Sequence, residues 1–274
     1  MKKSVLALTA SLAFAAGSVS AQEVIITTGK SGGGYHGVFG TNLARVLKEQ
    51  GHDASVVTSL GSIQNLDRVN SGEAHIGFTQ GDAFAAWSKK HPNSNVEEIG
   101  SLGEECVFVA TREDGIDDED DIGEGTKIAV GEKGTGSAVS WDYLRTLEDD
   151  YAEASTFYQG GIRSLAKVAS GQFDAFLWVT APGNLNHSYL EAVNANDDLR
   201  VISLNDYSLN EKLPSGETVY EFHDVVVREG RFSDTEVETP CTSVLAVANT
   251  EMGAEALESA AAAIMMNANR IRGL

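Results

Sequence analysis

Two spacings of apolar residues alternate along the chain. The run VIITT (24–28) is short and β-branched, as a buried strand requires, and the stretch from Tyr35 to Gln50 then takes a helical pattern that Gly51 stops. ASVVTS (54–59) predicts a second strand, SIQNLDRVNSG (62–72) a second helix, AHIGFTQ (74–80) a third strand, and DAFAAWSKK (82–90) the start of another helix. The order then recurs. KIAVGEKGTGSAVSWDYLRTLEDD reads as strand, glycine-rich turn and helix, and ASTFYQGGIRSLAKVASGQFDAFLWVT as strand, helix and strand. Strands alternating with helices predict βαβ units in an α/β fold with mostly parallel sheets.

The recurrence is close enough to align. Shifting by 99 positions sets Gly61 on Gly160, Ile63 on Ile162, Leu66 on Leu165, Val69 on Val168, and Ser71-Gly72 on Ser170-Gly171. Two similar α/β lobes are therefore expected, joined through GEECVFVATRED: residues 22–109 plus 245–274 form one, and 110–244 the other. The acidic stretch EDGIDDEDDIGEG between them is a loop and not a calcium loop. Counted from Asp117, Ile122 and Ile128 stand where glycine and an acidic ligand are needed. Beyond the second half, DYSLNEKLPSGETVYEFHD is turn-rich, TSVLAVAN is a strand, and Thr250 is the expected N-cap of a final helix from about Glu251. Leu257, Ile264 and Met265 are its expected packing residues.

Residues 1–21 have the layout of a cleaved export signal: Lys2 and Lys3, an apolar core from Val5 to about Ala16, then Val19-Ser20-Ala21. Removing them leaves 18 basic against 40 acidic residues, a net charge near −22. That balance excludes nucleic acid as a partner, because a phosphate backbone needs lysine and arginine. It fits an acidic solvated coat. Cys106 and Cys241 both lie in strand-like runs of an exported chain. Two readings stand: a disulfide between adjacent antiparallel strands, or two buried thiols packing as small hydrophobes.

Glycine carries the candidate chemistry. GKSGGGYHG (29–37) follows the first strand, yet a P-loop would need glycine at position 24, where Val24 stands. Gly32, Gly34 and Gly37 fit G-x-G-x-x-G, but the acidic residue that should end a second strand is missing. What remains is the physics common to both motifs: a glycine-rich turn before a helix points backbone N–H groups at an anion. The chain builds this at SGGGYH and again at EKGTGS, which points to one anion held between two lobes. Enzyme signatures are missing. There is no G-x-S-x-G elbow, the six histidines form no H-x-x-x-H site, and His75 is expected to be a hydrogen-bonded structural residue; no metal or cofactor is expected.

ITTGKSGGGYHGVFGTNLARVL and VVTSLGSIQNLDRVNSGEAHIGFTQGDA resemble the N-terminal lobe of the TAXI family, the extracytoplasmic solute receptors of tripartite ATP-independent periplasmic (TRAP) transporters. The match rests on Gly29 to Gly37 with Tyr35, on Gly61, Ser62, Asn65 and Leu66, on Ser71 to Ala74 with Gly77, and on Gln80 with Asp82. It continues through Arg112 to Ile116, Val130 to Ser137, and Ser170 to Ala175. His36, where an aromatic residue is usual, and the short region after Asn205 depart from the family pattern. The resemblance implies a two-lobe periplasmic binding protein-like (type II) fold with hinge strands, acting as a periplasmic monomer. It would close on a small carboxylate such as glutamate or 2-oxoglutarate and dock on TRAP integral membrane subunits. An ABC importer or a sensor kinase is the alternative partner of the same fold. The ligand-binding residues it implies are Gly33, Gly34, Tyr35, Ser62, Asn65 and Gln80 from the first lobe, and Gly134, Thr135, Gly136, Ser137 and Arg163 from the second. Trp178 is read either as a cleft wall or as a core residue, and Asp82 as the cap of the following helix.

Overall fold

The computed structural model describes residues 23–31, 33–213 and 215–274, so the expected export signal lies outside the described residues. β1 (Glu23–Thr27) leads through the glycine loop into a π-helical turn at Tyr35–Gly40, which continues as α1 (Thr41–Glu49). β2 (Asp53–Val57), α2 (Ser62–Asn70), β3 (Ile76–Gln80) and α3 (Gly81–Lys90) complete the first run of alternation. α1 shows why the pattern folds as it does: Leu43, Ala44, Val46 and Leu47 recur at helical spacing and are the residues it buries.

The 17-residue β4 (Val96–Arg112) carries the chain into the second run. There follow β5 (Lys127–Ala129), α4 (Gly136–Leu144), the short α5 (Asp149–Glu153), β6 (Ser155–Phe157), α6 (Ile162–Ala169) and β7 (Ala175–Thr180). α7 (Ser188–Asn194), β8 (Leu199–Ile202) and β9 (Glu221–Arg228) extend it. The 15-residue β10 (Thr235–Asn249) returns to the first lobe, and α8 (Ala254–Arg272) closes the chain. The repeat is structural: β3 and β7 begin at aligned positions, and α2 and α6 begin within one residue of alignment.

The strands hydrogen-bond in the order β2-β1-β3-β10-β4-β7-β5-β6, with β8 beside β4 and β9 beside β10. β1, β2 and β3 are parallel, as are β5, β6 and β7, and β4 and β10 run antiparallel between the two sets. Each long strand serves both lobes. The second half of β10 pairs β3 and its first half pairs β9; the second half of β4 pairs β7 and β8. The boundaries expected near residues 109 and 244 fall inside these two strands. Gly100 and Gly103, at φ +150° and +133°, and register shifts around Ser243–Val247 let the pair bend from one lobe into the other. Cys106 faces Cys241 in this crossing, and a disulfide joins them.

One core lies under the first lobe, with Ile26, Leu47, Phe78 and Ile264, and another under the second, with Phe108, Leu165, Phe176 and Trp178. A third cluster runs between them, placing Leu66, Phe84 and Trp87 against Trp141, Leu144 and Leu177. Two expectations at the C-terminus need correction. The cap is Asn249, whose side chain accepts from Glu251 N at 2.7 Å and starts a 3-10 turn, and α8 begins only after Gly253. Met265 is 73% exposed; Leu257 and Ile264 do the packing. His75 is structural as expected, its Nδ1 accepting from Ile25 N at 3.0 Å.

Candidate functional site

The parallel strands of both lobes end toward the same cleft, so the loops and helix starts that follow them converge there. They enclose a cavity of about 250 Å³. Gly33, Gly34 and Tyr35 line it from the first glycine loop, Ser62 from the start of α2, and Gln80 from the end of β3. Thr135, Gly136 and Ser137 line it from the start of α4. Three helix N-termini thus face one space, each with backbone N–H groups that lack intrahelical acceptors. Ser62 Oγ accepts from Gln80 N at 3.4 Å, and Ser137 Oγ accepts from Val179 N at 3.2 Å, which fixes both hydroxyls at the rim.

The lobes are closed on each other. A Cβ at Gly61 would lie 2.5 Å from the carbonyl oxygen of Gly134, so that glycine stands behind the cavity wall where one lobe's backbone meets the other's. A Cβ at Gly136 would lie 2.3 Å from Gln80 Oε1. Lys30 Nζ meets Glu132 Oε2 at 2.5 Å across the mouth, and the pairing holds the Glu132 carboxyl below its ordinary range.

Four sequence-predicted residues do not line the cavity: Gly134, which meets Gly61 behind it, and Asn65, Trp178 and Arg163. Asn65 is buried and committed internally. Its amide donates to the carbonyls of Thr28 and Phe78, and its Oδ1 accepts from Thr27 Oγ1 at 2.7 Å. It therefore clamps β1 and β3 behind the cavity. Trp178 is a core residue stacked with Phe108 and Phe176. Arg163 stands exposed at the start of α6, outside the cavity lining; the turn before it packs against Gly131 of its own lobe.

Two carboxylates dominate the electrostatics: Glu105, which motif spacing did not flag, and Asp82, expected only to cap a helix. Glu105, on β4, borders the cavity and accepts from Tyr35 Oη at 3.2 Å. Burial pushes its carboxyl up to about 7, the Tyr35 hydrogen bond opposes that rise, and the nearby Asp82 charge adds to it. Burial, then the Glu105 charge, raises the Tyr35 phenol well above its ordinary value. Asp82 is not the expected helix cap: Gln80 is the N-cap of α3 and makes no side-chain cap hydrogen bond, whereas Asp82 lies in the first turn, accepts from Ala83 N at 2.6 Å and ties the lobes together. Ser140 Oγ donates to its Oδ2 at 2.5 Å and Tyr220 Oη at 2.9 Å, both from the second lobe, and Gln80 Nε2 donates to Ser140 Oγ at 3.3 Å. Burial raises the Asp82 carboxyl, and the Ser140 and Tyr220 hydrogen bonds lower it in part. A larger groove of about 610 Å³ opens between α3 and α4, but helix flanks such as Ala86 and Val139 form its walls and no helix N-termini converge on it.

The chain belongs to the NMT1-like family, whose model matches residues 26–274. No curated protein matches it in sequence. Among solved structures it is similar to the GluR0 ligand-binding core from Nostoc punctiforme in complex with L-glutamate, at 11% identity over 90% of this chain and 95% of that one, with a TM-score of 0.52. It is also similar to the substrate binding protein of an amino acid ABC transporter (12% identity, 89% and 92% coverage, TM-score 0.52) and to XAC2383 from Xanthomonas citri bound to ATP (10%, 91% and 88%, 0.54). At these identities the likeness shows the fold: a two-lobe periplasmic binding protein-like architecture. Among the described residues, no helix is long and apolar enough to cross a membrane.

Proposed function

We propose that the chain is a periplasmic solute receptor that captures a small organic acid between its lobes and hands it to the integral membrane subunits of a TRAP transporter. The observation that carries this reading is the convergence of three helix N-termini, from two lobes, on one cavity of about 250 Å³. Such a site suits a carboxylate without a basic side chain, since its backbone donors are already oriented and partly desolvated. Among the residues bordering the cavity the one cation is Lys30, which is engaged by Glu132.

Glu105 narrows the solute further. A protein carboxylate on the cavity wall repels a plain dicarboxylate but complements an ammonium group, which favours an amino acid such as glutamate over 2-oxoglutarate. The TRAP partner rests on the TAXI motifs, because lobe closure alone would serve an ABC importer or a sensor equally well.

A thermal-shift screen of the mature chain against amino acids, 2-oxo acids, C4-dicarboxylates, sugars and NAD tests the reading. A ligand at 100 times its Kd adds about 2.7 kcal/mol, which is several degrees. A shift with an amino acid, weakened at least tenfold in Glu105→Gln, is the expected outcome. Stabilisation by sugars or NAD with the acids silent would overturn the carboxylate reading. A plain dicarboxylate that binds the unaltered chain tighter than any amino acid does, and no tighter to Glu105→Gln, would overturn the amino-acid assignment alone.

A further inference from the structure

We infer that Glu104, Glu221 and His223 form a binding site for a divalent transition-metal ion such as Zn2+, on the sheet beside the crossing of β4 and β10. The three residues come from two distant parts of the chain, and register brings them together. Glu221 and His223 are two apart on β9 and therefore project from one face. They pair with Cys241 and Thr239 of β10, and Ser243 of β10 pairs with Glu104 of β4. Cys241 and Ser243, both small, occupy that face of the middle strand, so the longer side chains on either side can meet over it.

The three residues do meet. His223 Nε2 lies 3.4 Å from Glu104 Oε1 and 3.8 Å from Glu221 Oε2, and one ligand atom from each residue falls within 4.8 Å of the others. A tetrahedral ion with ligand bonds of about 2.05 Å needs its ligand atoms about 3.3 Å apart, so small side-chain adjustments complete the site. The decisive observation is the nitrogen itself. His223 Nε2 is sealed from solvent and makes no hydrogen bond, while two carboxylates flank it. In the tautomer that carries its proton on Nδ1, this nitrogen presents a lone pair to an ion, with the carboxylates supplying the negative charge. One imidazole nitrogen with two carboxylate oxygens suits zinc and its first-row neighbours, whereas magnesium and calcium prefer oxygen alone. Among the described residues this is the only such grouping of three. Histidine spacing could not flag it, since Glu104 precedes the other two by more than 100 residues.

The site is separate from the solute cavity, which Glu104, Glu221 and His223 do not line. An ion there ties β9 to the strand that crosses between lobes, next to the Cys106–Cys241 bridge, and so stiffens the hinge region. The test uses the mature, disulfide-intact chain, stripped with EDTA and dialysed, then titrated with ZnCl2 in a calorimeter, with MgCl2 and CaCl2 in parallel runs. The expected result is one Zn2+ per chain at micromolar Kd or tighter, a raised melting temperature that EDTA reverses, and no comparable Mg2+ or Ca2+ binding. His223→Ala and Glu221→Gln should each weaken Zn2+ binding at least tenfold; Glu221 is exposed, so that variant keeps the fold in circular dichroism. Unsaturable binding, calcium binding as tight as zinc, or a Zn2+ affinity unchanged in both variants would overturn the site and leave an ion pair only.

Discussion

Asp82 offers a direct way to weigh lobe closure, because its carboxylate belongs to one lobe and two of its three donors to the other. Tyr220→Phe removes one donor and leaves the ring in place, so no cavity opens against Tyr143. A hydrogen bond to a buried charged group is worth about 1.5–3 kcal/mol net, which corresponds to roughly a ten- to hundredfold shift toward the open form. Solute affinity falls by the same factor if the free protein is mostly open, and by less if it is mostly closed, since only the closed fraction counts. Small-angle scattering of the free protein separates these cases, as opening raises its radius of gyration. Ser140→Ala should act in the same direction. It also strips Gln80 of its Ser140 contact, so the two changes together should be non-additive. The reasoning is refuted if Tyr220→Phe leaves both affinity and radius of gyration unchanged while lowering the melting temperature, because the hydroxyl would then support the fold and not closure.

Three further outcomes follow from the same contacts. Burial raises the Asp82 carboxyl in the folded state, so that state holds a proton the unfolded chain releases. The stability this confers is full below about pH 4 and is lost as pH rises through the folded value; Asp82→Asn should flatten that fall in urea titrations between pH 4 and 7, and parallel curves for the two proteins would count against it. Replacing Cys106 and Cys241 by serine opens a loop spanning 135 residues and should cost about 3–5 kcal/mol; overlapping unfolding curves would show that the bridge does not stabilise the fold. Gly61→Ala places a Cβ at φ +140° and 2.5 Å from the Gly134 oxygen, so it should hold the lobes apart and cut solute affinity more than tenfold. Unchanged affinity would mean that the lobes bind without this close approach.

The elements that repeat are the ones the sequence reveals. βαβ alternation and the 99-residue shift locate α2, α6, β3 and β7, because each half must bury one face of its own helices and strands, and that need writes itself into local spacing. The glycines are legible for a similar reason: close backbone approach excludes a Cβ at Gly61, and φ +82° favours glycine at Gly134. What spacing cannot reveal is which residue meets which across the cleft. Asn65 has the amide a ligand would want, yet only the fold shows that amide donating to the carbonyls of Thr28, just after β1, and Phe78 of β3. Arg163 occupies the position equivalent to the Ser62 turn, but the second lobe directs that turn away from the cavity.

The acidic groups in and beside the cleft show where local reading stops. Asp82 looks like a helix cap, but Gln80 holds that position, and one oxygen of Asp82 is instead claimed by Ser140 and Tyr220, 58 and 138 residues away. Glu105 sits in an ordinary-looking strand, and only the crossing of β4 and β10 turns it toward Tyr35 and the cavity. Burying two carboxylates so close together opposes closure electrostatically, which is why hydroxyl donors surround one of them and a phenol caps the other. A solute that brings a positive group to Glu105 removes part of that penalty on binding. Its gain is realised only in the closed form, where the carboxylate is enclosed, and this difference between forms is what a receptor needs to couple occupancy to closure.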